Sequence, residues 1–259
     1  MQAMLNIAVR AARRAGSIIT RSLDRLDALA VAEKGKNDFV SEVDQKAEAD
    51  IIETIRRSYP DHAVLGEETG SRGKNDFTWI IDPLDGTTNF LHGFPQFAVS
   101  IGVRYRDRME HGVVYDPMRD ELFTASRGHG AKLNDRRLRV SKTKTLARSL
   151  IGTGFPFREF EQLDEYMSIF RTLMTQTSGI RRPGSAALDL AYVASGRLDG
   201  FWEFNLNAWD IAAGTLLIQE AGGIVTDMRG KNDFLENGDV IAGTPKVHQE
   251  LVKIINPKD

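Results

Sequence analysis

Apolar positions in the first 23 residues recur at helical spacing, with Leu5, Val9, Ala12, Gly16, Ile19 and Leu23 on one stripe and the arginines largely off it. The pattern predicts an amphipathic helix belonging to the fold rather than a cleaved leader, even though Arg10, Arg13, Arg14 and Arg21 precede the first acid, Asp24. Ser41 followed by Asp44 has the spacing of a capping box and opens a second amphipathic helix running to about Tyr59-Pro60. The rhythm then changes. Residues 97–105, 109–115 and 121–126 are β-rich and partly alternating, with turn-like stretches at 106–108 and 116–120, so an antiparallel meander is expected there. Farther on, short apolar runs at 150–153 and 223–227 alternate with helical patterns at 161–176, 185–195 and 209–221, the rhythm of a layered α/β lobe.

No Gly/Ser-rich or Pro-rich linker interrupts the polar segment 142–148, where the two rhythms meet. The expected organisation is an N-terminal lobe of helices and antiparallel sheet over residues 1–145 and a C-terminal α/β lobe over 146–259, packed tightly as one unit. No run approaches the ~18 apolar residues of a membrane span, so a soluble protein is expected. With no cysteine in the chain, disulfides, thiolate zinc sites, iron–sulfur clusters and a cysteine nucleophile are excluded, which fits a cytoplasmic location. A formal charge of −2 gives no global attraction to nucleic acid and leaves such contacts to local basic surface.

Candidate chemistry concentrates where the apolar run Trp79-Ile80-Ile81 meets Asp82-Pro83-Leu84-Asp85-Gly86-Thr87-Thr88. Pro83 stiffens the turn and blocks strand pairing, so Asp82 and Asp85 can project from the strand end and share a cation. Gly86, Thr87 and Thr88 then start a helix or tight turn whose backbone N–H groups suit a phosphate. Read as an ordinary Asp-Pro-x-Asp-Gly turn, the same residues need no function. Upstream, Glu67 and Glu68 follow the apolar Ala63-Val64-Leu65; one of them could complete a cation site, or both could be solvated surface. Asp210, in Trp209-Asp210-Ile211-Ala212-Ala213-Gly214, falls in the first turn of a helix, where the helix dipole stabilises an aspartate in any case. The five histidines show no ligand spacing. Nor is there a Gly-x-x-x-x-Gly-Lys-Ser/Thr loop, a Gly-x-Ser-x-Gly elbow or a His-Glu-x-x-His pair, so kinase, serine hydrolase and zinc protease drop out.

Together, the segments around Glu67, Asp82 to Thr87 and Asp210 resemble the pattern of the inositol monophosphatase family along essentially the whole chain. The runs at 4–13, Tyr115 to Arg119 and Gly184 to Asp189 are similar to a bacterial branch of that family. The resemblance implies a layered αβαβα sandwich (α+β / α/β) of the sugar-phosphatase type, shared with fructose bisphosphatases. It implies a Mg²⁺-dependent phosphatase holding two or three ions through Glu67, Asp82, Asp85 and Asp210, with the Leu84 carbonyl and the Thr87 hydroxyl. Asp44 pairs with Thr87 to help deprotonate the attacking water in this reading, and Glu67, Asp44 and Thr87 are the catalytic set. Substrate contacts fall on Asp85, Gly86, Thr87, Gly184, Ser185, Ala186, Glu203 and Asp210. A family lysine near the site corresponds to Lys34 or Lys36.

The implied substrate is a small phosphorylated polyol, myo-inositol 1-phosphate first, with other sugar or nucleotide phosphates as alternatives. Lithium sensitivity and a homodimer are further family implications. The same branch is associated with transcription antitermination complexes containing RNA polymerase and Nus factors, and a basic run suits such a partner: Arg136, Arg137, Arg139, Lys142, Lys144 and Arg148 stand against Asp135 alone. A run of this kind is ordinarily a solvated face.

Overall fold

The computed structural model describes residues 2–35, 38–156 and 160–256. It opens with α1 (Gln2–Ser22), whose buried side is Met4, Ala8, Ala11, Ala12, Ala15, Gly16 and Ile19. The stripe is therefore rotated from the expected one: Leu5 and Val9 pack at its margin, and alanines hold its centre because small side chains let the helix lie close against its neighbours. Next, β1 (Val31–Gly35) and β2 (Asp38–Ser41) form an antiparallel ribbon. Although Glu33-Lys34-Gly35-Lys36 reads as a loop in the sequence, the β-forming Val31, Phe39 and Val40 outweigh the charges between them. Lys36 and the side chain of Lys34 lie outside the described residues.

A capping box opens α2 (Glu42–Arg56): Ser41 Oγ accepts from the Val43 N–H at 3.2 Å, and Asp44 Oδ2 accepts from the Ser41 N–H at 2.8 Å. Then follow β3 (Ala63–Gly66), β4 (Gly70–Arg72), β5 (Phe77–Asp85), α3 (Thr87–Leu91), β6 (Ala98–Tyr105), β7 (Arg108–Asp116), β8 (Glu121–Ser126), β9 (Gly130–Leu133) and β10 (Arg136–Arg137). These strands make one eight-stranded sheet in the order β10-β9-β8-β7-β6-β5-β3-β4. The meander expected over 97–126 is its centre, and its one parallel pair is β3 with β5.

The remaining elements are β11 (Leu150–Thr153), α4 (Leu163–Gln176), β12 (Gly179–Arg181), α5 (Ala186–Ala194), β13 (Gly200–Glu203), α6 (Ala208–Glu220), β14 (Ile224–Thr226), α7 (Phe234–Asn237), β15 (Val240–Gly243) and α8 (Pro245–Ile255). A second sheet runs β12-β11-β13-β15-β14, with β11 parallel to both β12 and β13.

Five layers result, namely α1 and α2, the large sheet, α5 and α6, the small sheet, and α4 with α8. The middle helices must be apolar nearly all round because sheets cover both their faces, and Leu188, Leu190, Ile211, Leu216 and Leu217 are all buried there. Contact is closest where β7 crosses α6: a Cβ on Gly112 would meet the Ala213 carbonyl oxygen at 2.7 Å and its Cα at 3.0 Å. Backbone cannot yield as a side-chain tip does. Gly112→Ala is therefore expected to destabilise the protein by about 2 kcal/mol, read as a lower urea midpoint at unchanged slope; an unshifted midpoint would show that the two layers can part cheaply.

Candidate active site

Because β3 and β5 are parallel, their carboxyl ends open at the same edge, and both carry acids. Glu67 follows the last residue of β3, while Asp82 and Asp85 lie in the final turn of β5. Pairing of β5 with β6 is regular as far as Asp82↔Ser100, then slips before Asp85↔Ala98. Pro83 causes the slip by lacking an N–H for the ladder. Asp82 Oδ1 accepts from the Leu84 N–H at 2.9 Å, an Asx-type turn that redirects the chain. Asp210 arrives from the first turn of α6, held by the Asn207 N–H at 2.7 Å from its Oδ2. One carboxylate oxygen from each of Asp82, Asp85 and Asp210 lies within 4.8 Å of the others.

Charge is costly here. Burial, then the neighbouring Glu67, Asp85 and Asp210, push the Asp82 carboxyl well above the usual carboxylate range. Burial also raises Asp85, to about 6, against the pull of its hydrogen bonds. Those bonds come from the amino end of α5: the Ser185 hydroxyl donates to Asp85 Oδ2 at 2.5 Å and the Ala187 N–H donates at 2.8 Å. Ser185 is itself the N-cap of that helix. The positive end of the α5 dipole thus faces the acid it supports.

Asp44 is buried behind Thr87 and does not line the cavity itself. Its Oδ2 serves the capping box, leaving Oδ1 2.9 Å from Thr87 Oγ1. Thr87 Oγ1 also lies 3.0 Å from the Leu84 carbonyl, so its single hydrogen can go to either acceptor. Burial raises the Asp44 carboxyl, and the bonds from Ser41 and Thr87 oppose the rise.

All these groups except Asp44 open into one cavity of 610 Å³. Gly86, Gly184, Ser185, Ala186 and Glu203 line it as well, so every described substrate candidate shares the same space. Glu203 ends β13, and its carboxylate occupies the place a Cβ on Gly154 would take. Sequence reasoning passed over several lining residues: Asn89, Thr153, Gly154, Arg182 and Asp189. Asn89 Nδ2 lies 2.7 Å from the Gln96 carbonyl, 2.9 Å from that of Pro183 and 3.2 Å from that of Gly184. A signal for Thr153 and Gly154 was available in Gly152-Thr153-Gly154 at a strand end, because ligands of α/β sheets bind beyond the carboxyl ends of parallel strands.

The cluster offers oxygen donors only, and its acids repel one another where they stand. Both features fit a hard divalent cation. No helix among the described residues is long and apolar enough to cross a membrane.

Comparison with known proteins matches residues 1–257 to the model of the inositol monophosphatase family. Nus factor SuhB of Pseudomonas aeruginosa is 57% identical, covering 99% of this chain and 97% of that protein. Among solved structures, the extragenic suppressor protein suhB of Bartonella henselae superposes with a TM-score of 0.96 at 45% identity, over 99% of this chain and 100% of the other. The inositol monophosphatase of Anabaena (Nostoc) sp. PCC 7120 superposes with a TM-score of 0.84 at 39% identity, over 98% and 95% of the two chains. On the shared fold, the matched length and these identities, the chain belongs to the inositol monophosphatase family.

Proposed function

We propose that this protein hydrolyses small phosphate monoesters, with myo-inositol 1-phosphate as its substrate and Mg²⁺, as two or three ions, as its cofactor. The observation that carries this reading is the convergence of Asp82, Asp85 and Asp210 carboxylates, with Glu67 beside them, at one end of a cavity large enough for a small phosphorylated alcohol. Glu67, Asp82, Asp85, Asp210 and the Leu84 carbonyl would hold the ions. When bound, divalent cations supply the positive charge that polarises a phosphoryl group and acidifies a water.

The chain's own groups position and move protons. Thr87 Oγ1 gives its hydrogen toward Asp44 Oδ1 and keeps a lone pair for a water in the cavity. A proton taken from that water through Thr87 comes to rest on Asp44, whose burial already favours the protonated form. Backbone N–H groups of Gly86 and Thr87 stand ready for phosphate oxygens. Gly184, Ser185, Ala186 and Glu203 line the same cavity and bound the space for the alcohol, and Glu203 accepts hydrogen bonds from its hydroxyls.

A second reading rests on the relative named a Nus factor and on surface charge. Arg136, Arg137, Arg139, Lys142, Lys144 and Arg148 are all exposed. A partner in the transcription machinery would meet that basic face, and this role is compatible with hydrolysis at the cavity. Restored antitermination in cells carrying only Asp85→Asn would support it; loss of antitermination along with hydrolysis would remove it.

Phosphate release from inositol 1-phosphate should require Mg²⁺ and should fall about a thousandfold in Asp85→Asn, equivalent to about 4 kcal/mol of transition-state stabilisation. Wild-type protein that releases no phosphate from any monoester with Mg²⁺ present would end the phosphatase reading. Stability should report the same cluster. The folded value of Asp85 lies above the unfolded one, so its charging cost appears as pH rises through about 6. Metal-free wild type is expected to lose Tm across that range relative to Asp85→Asn, the two should converge at lower pH, and Mg²⁺ should restore the loss. Thermal melts across pH, with and without Mg²⁺, test this, and a gap indifferent to both would contradict it.

A further inference from the structure

One carboxyl in the cavity has no task in the scheme above. Asp189 lies on α5 four residues after Ser185, hence on the same helix face that presents Ser185 to Asp85. It lines the cavity yet is only 1% exposed. Its Oδ1 is buried with no hydrogen-bond partner. Such an atom is rare in folded proteins and costly to keep, so its retention calls for a ligand that completes it.

Its neighbours indicate what kind of ligand. A Cβ on Gly152 would lie 3.7 Å from Asp189 Cβ, and Gly154, two residues along the same strand end, is the bed of the Glu203 carboxylate. Asp189 and Glu203 therefore stand against positions two residues apart, one at the end of β11 and one just beyond it. Burial, then the nearness of Glu203 and Asp85, keep Asp189 well above the usual carboxylate range, against the pull of Arg182. That direction favours the protonated carboxyl, which can give one hydrogen bond and take another.

We propose that Asp189 is a specificity-determining residue at the leaving-group end of the cavity, where its carboxyl exchanges hydrogen bonds with a hydroxyl of a polyol leaving group beside Glu203. A hydroxyl both gives and takes, as this pair requires. A leaving group that carries no free hydroxyl leaves Oδ1 unpaired and gains nothing from it. The proposal rests on the phosphatase reading and adds the class of alcohol that the cavity selects.

The test compares inositol 1-phosphate with 4-nitrophenyl phosphate, whose leaving group bears no free hydroxyl, using Mg²⁺-loaded wild type, Asp189→Ala and Asp189→Asn. Asp189→Ala should lower kcat/KM for inositol 1-phosphate about tenfold relative to the nitrophenyl ester, mainly through KM. Asp189→Asn keeps a donor and an acceptor in the same space and should hold the ratio within about threefold of wild type. Because the ratio is taken within each variant, loss of folded protein lowers both rates and cancels. A ratio unchanged in Asp189→Ala, with both substrates falling in parallel or neither falling, overturns the proposal and leaves Asp189 a structural acid. Wild type inactive on both esters is a different result, which removes the phosphatase reading itself.

Discussion

Like charges held together in a buried place set the terms for this fold. Asp82 and Asp85 are nearly out of water and Asp210 joins them within 4.8 Å, an arrangement that folding alone disfavours. The chain offsets part of that cost with the hydrogen bonds of helix starts. Asp85 takes its bonds at the amino end of α5, Asp210 is tied to the amino end of α6, and Asp44 to that of α2. Each helix start supplies N–H groups that need acceptors and a positive dipole end that favours an anion. The remaining cost is what a bound cation would relieve, and binding and stability would then be two readings of one quantity.

The layering exists to bring those helix starts to one point. Each sheet contributes a parallel pair, β3 with β5 and β11 with β13, whose carboxyl ends face the common cavity. The middle layer of α5 and α6 is covered on both sides and so is fixed firmly enough to aim Ser185 and Asp210. Close backbone approach at Gly112 locks that layer to the large sheet. Precision at the cavity thus comes from packing some distance away.

Much of this was legible in the residues. Ser41 and Asp44 announced a capping box, and the box is there; the β-rich runs and turns of 97–126 announced a meander, and the sheet contains it. Asp82 and Asp85 marked a candidate cation site by their spacing around Pro83 at a strand end, whereas Asp210 was singled out through the family resemblance. What sequence could not disclose were relations between surfaces. The buried side of α1 is chosen by how closely its neighbours approach, which favours Ala8, Ala11 and Ala15 over the larger Leu5 and Val9. The ribbon at 31–41 was hidden by its charges. Asp189 looks like any helical acid until the cavity encloses it, because its surroundings lie far along the chain.

Asn89 belongs to that second kind, and its geometry carries a consequence. From α3, just after the acids of β5, its amide reaches the carbonyls of Pro183 and Gly184, more than ninety positions along the chain, as well as that of Gln96 nearby. This latch joins two segments that both line the cavity. Under the proposed function, substitutions around 152–154 would reshape the grip on the alcohol while this latch holds the 183–184 segment against the chain that follows the acids. One hydrolytic core can then be refitted to new alcohols by exchanging a single wall.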